Sequence, residues 1–215
     1  MTCCSCCATD QQFDTRAAVQ DLRRFHRHGP DPSTRLLLAA IHDSPLPQAP
    51  DLLDIGGGIG VMHHVLLNRG FTQATEVDAS TASLEVAAEE SKRRGHADRV
   101  TFRYGNFREM EATVGMADVV TLDRVVCCDS DYAALLGAAA SHARWLVAFT
   151  NPQPRWFIKA FVAGMNLWRR LRGQSFRAYV HSPNAMLAVL RGAGFRQRWT
   201  GSTWIWQGEL FERAA

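Results

Sequence analysis

The chain has 215 residues, 47% of them hydrophobic, enough for one sizeable core and within the size of a single domain. A net charge of +3 with a pI near 8.6 is mild. Only Lys92 and Lys159 are lysines, so the Arg excess reads as a composition bias, and no basic-aromatic stripe suggests nucleic-acid binding. No run of 18 apolar residues predicts a membrane-spanning helix, and the N-terminus lacks the apolar core of a secretory signal, so a cytoplasmic location is expected.

In chain order, residues 1–12 are polar and cysteine-rich and are expected to form a flexible segment. Ala17, Ala18, Leu22 and Phe25 predict a helix that begins after Asp14 and ends before Gly29-Pro30. Ser33 is a candidate cap for a second helix, Thr34–His42, and residues 13–48 together read as a helical cap on the domain. Strand and helix then alternate. Strands are expected at Leu52–Ile55, Ala74–Val77, Val100–Tyr104, Ala117–Leu122 and Trp145–Thr150. Helices are expected at Val61–Arg69, Ala79–Arg94 and from Asp131 to about His142. Such alternation predicts an α/β fold with a parallel sheet covered on both faces. Pro183 after Ser182 starts a last helix to Arg191, and Gln197–Thr200 and Ile205–Phe211 read as a hairpin joined at Gly201-Ser202.

The stretch Asp54-Ile55-Gly56-Gly57-Gly58-Ile59-Gly60 follows the first strand and opens a helix. Glycines there let the turn bend tightly and let backbone N–H groups face a ligand. Asp78 ends the second strand about 20 residues on, where an acid binds ribose hydroxyls in nucleotide-binding folds. The dinucleotide fingerprint G-x-G-x-x-G fails in both registers, because its third glycine falls on His63 or Val61. The observed pattern is D-x-G-x-G-x-G.

On these residues the sequence resembles the class I S-adenosylmethionine-dependent methyltransferases over about residues 50–210. Gly105-Asn106-Phe107 matches the segment after strand three, with Asn106 in place of the usual Asp. Ala117-Asp118-Val119-Val120 with Leu122-Asp123-Arg124 matches strand four, and Leu190-x-x-x-Gly194-Phe195 matches the approach to the terminal hairpin. The Leu-Asp-Arg-Val-Val-Cys-Cys stretch at 122–128 is similar to a bacterial group of methyltransferase-domain proteins, some named after magnesium-protoporphyrin methyltransferases; Asp129-Ser130-Asp131 replaces the Tyr-Pro-Asp common there. The resemblance implies a Rossmann-like, doubly wound seven-stranded sheet, mostly parallel, with an antiparallel C-terminal strand inserted beside strand five. It implies S-adenosyl-L-methionine as cofactor. The binding set it implies is Asp54, Gly56, Gly57, Gly58 and Gly60 at the methionine part, Asp78 and Ala79 at the ribose, Asn106 and Phe107 beside the adenine, and Asp123.

Methyl transfer from a sulfonium is an in-line displacement, so the protein chiefly aligns the reactants. Asp123, Cys127 and His181 are the candidates for contact with the reacting groups. Each has a plainer reading: Asp123 as a cap, Cys127 and Cys128 as small residues at the start of a helix, and His181 as a structural histidine. His63 and His64 read as residues of the helix surface, one of them a candidate contact to the cofactor's carboxylate end. The expected acceptor is a small molecule, first a hydrophobic acid or phenol methylated on oxygen, and no nucleic-acid partner is expected.

Residues 152–180 read as a helical insertion, with Phe157, Phe161, Met165, Trp168 and Leu171 at helical spacing and Arg169, Arg170 and Arg172 at its end. It can pack on the domain, cover an acidic, hydrophobic acceptor, or rest on an anionic membrane. Cys3, Cys4, Cys6 and Cys7 are expected to be thiols in a reducing compartment. They keep open a non-catalytic cofactor- or metal-binding protein, or a thiol or metalloid methyltransferase, although no metal site is assigned.

Overall fold

The computed structural model describes residues 5–214, with side chains from residue 9 onward. Cys3 and Cys4, and the side chains of Cys6 and Cys7, lie outside it. Helices α1 (Ser5–Gln12), α2 (Thr15–His28) and α3 (Pro32–His42) precede the sheet. Then follow β1 (Leu52–Ile55), α4 (Val61–Leu67), β2 (Ala74–Asp78), α5 (Thr81–Arg94), β3 (Val100–Tyr104), α6 (Phe107–Met110), β4 (Ala117–Leu122), α7 (Tyr132–His142), β5 (Ala143–Pro152), α8 (Trp156–Leu171), α9 (Pro183–Gly192), β6 (Phe195–Ser202) and β7 (Trp206–Arg213).

The seven strands lie in the order β3-β2-β1-β4-β5-β7-β6. The first five are parallel, and β7 runs antiparallel between β5 and β6, as the family resemblance implied. Parallel strands bury both faces, so central ones are largely apolar. Leu53, Val120 and Val147 pack one face against α7 and α9; Leu52, Val119 and Leu146 pack the other against α3 and α4. Each fully buried Leu contributes about 2 kcal/mol of transfer free energy. No helix of the described residues is long and apolar enough to cross a membrane.

Side-chain caps set several helix starts. Asp14 accepts from Ala17 N at 2.9 Å, Ser80 from Ser83 N at 3.1 Å and Asp131 from Ala134 N at 3.1 Å. The Ser80 cap starts α5 at Thr81 rather than at Ala79. α3 starts at Pro32, and Ser33 is buried inside it rather than capping it. Asp31 holds the cap position, but its carboxylate pairs with Arg124 at 2.7 Å.

Within the segment expected to be flexible, Ser5–Gln12 is helical. It is tied down where Thr81 N donates to Asp10 Oδ1 at 2.8 Å and the Ser80 hydroxyl donates to Phe13 O at 2.7 Å. Gly201-Ser202 belongs to β6, and the hairpin turns at residues 203–205. Gly201 serves packing: a Cβ there would collide with the Trp199 indole, and one on Gly208 would crowd the same ring.

Candidate active site

A cavity of about 710 Å³ opens at the C-terminal ends of the central strands, where open α/β sheets bind ligands. Every residue expected to bind cofactor lines it except Gly60. The loop after β1 is held by Gly56 N donating to Val77 O at 2.7 Å and Gly60 N to Gly57 O at 3.0 Å. Gly56, Gly58 and Gly60 have φ of 64°, 62° and 79°, the left-handed region that favours glycine.

Protein neighbours explain most of these glycines. A Cβ at Gly56 would strike the Val125 side chain, and one at Gly60 the His63 ring. At Gly57 it would lie 2.7 Å from Asp54 Oδ2 and 2.8 Å from Glu76 Cδ. Only Gly58, of the four, has open space on its Cβ side.

Asp78 is buried at the end of β2. Its Oδ2 accepts from Gly58 N at 2.9 Å and its Oδ1 from Ser80 N at 2.7 Å. The carboxylate therefore ties the glycine loop to β2. Burial raises its pKa, and these backbone N–H groups act against that rise.

Beneath the loop lies a buried cluster that sequence reading missed. Asp54, His63, His64 and Glu76 are all fully buried, so His63 and His64 are not surface residues. His63 Nδ1 lies 2.8 Å from Glu76 Oε2 and 3.9 Å from Asp54 Oδ2. The short contact is misaligned for a hydrogen bond. Asp54 Oδ1 accepts from the Thr121 hydroxyl at 2.7 Å, while its Oδ2 has no hydrogen-bond partner among the described residues. Burial pushes the Asp54 pKa up to about 7 and that of Glu76 well above the carboxylate range. Burial holds His63 well below its ordinary value, and His64 near 3. Burial thus shifts each of these groups toward its neutral form. Asp54, His63 and Glu76 are close enough together to hold a metal ion. In the present arrangement the imidazole and the Glu76 carboxyl face each other directly.

β4 ends in a second network. Asp123 Oδ2 accepts from the Thr34 hydroxyl and Oδ1 from the Thr150 hydroxyl, each at 2.6 Å. Asp123 therefore joins α3, β4 and β5 at the cavity wall. Arg124 has φ of 62°, and its Nη1 donates to Asp31 Oδ2 at 2.7 Å. Burial opposes its charge, but the carboxylates of Asp123 and Asp31 raise its pKa overall. A non-glycine residue in this conformation costs about 1 kcal/mol, and such strain concentrates at functional sites.

The thiols of Cys127 and Cys128 both line the cavity, 3.9 Å apart, and approach Arg124 O at 3.4 and 3.6 Å. Their mutual hydrogen bond lowers Cys127 and pushes Cys128 well up. His181 does not line the cavity. Its Nε2 donates to the carbonyls of Val126 and Asp129 at 3.1 and 2.9 Å, and its ring packs against Tyr132 and Tyr179. Burial lowers its pKa. It pins the turn that carries the cysteines, which is its structural reading rather than the expected contact with reacting groups.

Asn106 caps α6, with Oδ1 accepting from Arg108 N at 3.1 Å, and Phe107 packs edge-on against His142. Over the cavity lie Thr9, Phe13 and the 175–179 segment, with Phe13 and Phe176 in edge contact at 5.7 Å. Tyr179 N donates to Cys127 O at 2.8 Å. From α8, Met165 and Arg169 reach the cavity wall. Arg169 lies over the Phe176 ring, and its Nη1 is buried without a hydrogen-bond partner among the described residues. Burial lowers its pKa.

Residues 52–145 match the family described as a methyltransferase domain. The chain carries a methyltransferase domain. Solved structures agree on the fold. The magnesium protoporphyrin IX methyltransferase from Synechocystis, solved with bound S-adenosylhomocysteine, is similar at a TM-score of 0.67 and 18% identity, covering 91% of this chain and 95% of that one. An O-methyltransferase family protein from Burkholderia thailandensis gives 0.72 and 18%, over 95% of this chain and 62% of that one. A protein from Haloferax volcanii, solved in complex with the methyltransferase activator Trm112, gives 0.71 and 14%, over 96% and 97%. A comparison with curated proteins found no match. The methyltransferase domain spans β1 to the start of β5, so the glycine loop, Asp78, Asn106, Asp123 and both cavity cysteines lie inside it. α8 and the hairpin lie beyond it.

Proposed function

We propose that this methyltransferase domain transfers a methyl group from S-adenosylmethionine to an oxygen of a small apolar acid. The donor supplies a methyl group on a positively charged sulfur. The residues present fit it: a glycine loop with open space at Gly58, and a buried Asp78 at the end of β2. Asp78 would hold the ribose hydroxyls, Asn106 and Phe107 would border the base, and the loop backbone would face the methionine end.

The observation that carries the acceptor class is Arg169. A guanidinium nitrogen buried in a cavity wall without an acceptor is costly, and a carboxylate on the ligand would satisfy it. Phe13, Met165, Phe176 and Trp206 supply apolar walls around it. A carboxylate nucleophile is already ionised at neutral pH and needs no general base. That suits a site in which both oxygens of Asp123 are taken by hydroxyls.

The test has two stages. Calorimetric titration with S-adenosylhomocysteine should show micromolar binding, and Asp78→Ala should weaken it by on the order of tenfold or more. A panel of apolar carboxylic acids should then yield methyl esters, with Arg169→Ala losing turnover but keeping donor affinity. Methylation of phenols or amines alone, unaffected by Arg169→Ala, would reject the acid. A second reading is favoured by Cys127 and Cys128, whose adjacent thiols line the same cavity. They suit a soft-atom acceptor such as a trivalent metalloid.

A further inference from the structure

We propose that the outer face of α8 and the β6–β7 turn form a docking surface for an anionic lipid bilayer. Ile158 is the only buried side chain of α8. Together with Val162, Met165 and Arg169 it marks the face turned to the domain, at helical spacing. The opposite face is apolar and exposed: Trp156 at 80%, Phe161 at 70%, Trp168 at 50% and Leu171 at 79%. The turn extends it, with Trp204 at 70% exposure beside Phe157 at a ring distance of 5.8 Å. An apolar helix face this large and unpartnered marks an interaction site.

Charge selects the occupant. Exposed Arg155, Lys159, Arg170 and Arg172 surround this face. From Tyr132 to Gly208 the sequence contains no Asp or Glu but ten Lys and Arg. Of these, Arg144, Arg196 and Arg198 pair with Asp51, Asp118 and Glu212 elsewhere on the sheet, whereas Arg155, Lys159, Arg170 and Arg172 stand at the border of α8. A helix with aromatic and aliphatic residues outward, cations along its border and no acid has the composition of one lying in a membrane interface. Trp rings favour that depth, and the cations favour anionic headgroups. At 16 residues α8 is about 24 Å long and lies on the surface rather than spanning it. Its inner face lines the cavity through Met165 and Arg169, so the docked helix would separate bilayer from acceptor site. An apolar acid could then enter directly from lipid; that clause alone rests on the proposed function.

The test is flotation of the full chain with phosphatidylcholine vesicles, with and without phosphatidylglycerol. Binding to the anionic vesicles is expected, with a blue shift of tryptophan emission and release at high ionic strength. Lys159→Gln with Arg170→Gln should lower partitioning by about thirtyfold. Trp168→Ser with Leu171→Ser should abolish it. All four residues are exposed and outside the cavity, so S-adenosylhomocysteine affinity should be unchanged, which also reports that the variants are folded. Failure of the wild-type chain to float with anionic vesicles at low ionic strength would overturn the proposal. So would a dimer in sedimentation velocity that Trp168→Ser with Leu171→Ser dissociates, which would give the face to a second copy. Flotation without donor binding would keep the docking surface and remove the methyl-transfer reading.

Discussion

His63 Nδ1 lies 2.8 Å from Glu76 Oε2, and neither side chain reaches solvent. The directions of their pKa shifts make this a contact between a neutral imidazole and a protonated carboxyl. Substituting Glu76→Gln should then cost only about 1 kcal/mol, since one neutral group replaces another. His63→Ala should cost about 3 kcal/mol, because it opens a cavity in the buried cluster. Urea unfolding of both variants measures the difference. Equal large losses would show that the pair is ionised.

Asp54 supplies a pH signature. Its pKa is about 7 in the folded protein against 3.8 for the free side chain. Between those values the folded state binds more protons than the unfolded chain. The contribution of Asp54 to stability is therefore present at low pH and falls as pH rises toward about 7. Asp54→Asn cannot ionise and lacks this slope. The melting temperature of the native protein minus that of the variant should decrease from about pH 5 to about pH 7. The comparison cancels the opposing contributions of His63 and His64. A constant difference would contradict the raised pKa.

The glycine loop separates stability from binding. Gly57→Ala places a Cβ 2.7 Å from Asp54 Oδ2 among buried groups, and should cost about 2 kcal/mol by overpacking. Gly58→Ala meets nothing within 4 Å but has φ of 62°. It should cost only about 1 kcal/mol of stability while losing S-adenosylhomocysteine affinity, because its Cβ points into open space at the cavity. Thermal melts paired with titration distinguish the two. Retained affinity in Gly58→Ala would move the ligand away from this loop.

His181→Ala should lower stability by about 1–2 kcal/mol, since two buried carbonyls lose their donor. The pH profile of kcat should keep its shape. Loss of an acidic limb would restore His181 as a proton acceptor in the reaction.

Asp78 shows how sequence and structure divide the account. Its place at the end of the second strand marked it as a ribose contact from spacing alone. Its bonds to Gly58 N and Ser80 N were not visible there, because they depend on how the loop closes back on β2. Asp78→Ala should therefore remove a ligand contact and also loosen the loop by about 1 kcal/mol. His63 and His64 teach the same lesson more sharply. Two histidines at the start of a helix read as surface residues, and only the packing of α4 against the sheet buries them, with His63 against Glu76.

What the sequence determined by itself was the frame: alternating strands and helices, the D-x-G-x-G-x-G turn and Asp78 at the end of the second strand. These follow from periodicity and short-range backbone geometry, which a linear chain records directly. The tertiary structure decided which glycines yield to Val125, Glu76 and His63 and which one, Gly58, faces open space. It placed Asp123 at a hydrogen-bonded junction of the cavity wall and His181 outside the cavity, holding the turn that carries the cysteines. It also decided that α8 leaves its aromatic face uncovered while Arg169 enters the cavity. Each of these depends on contacts between residues far apart in the chain, and long-range contacts leave no local pattern to read.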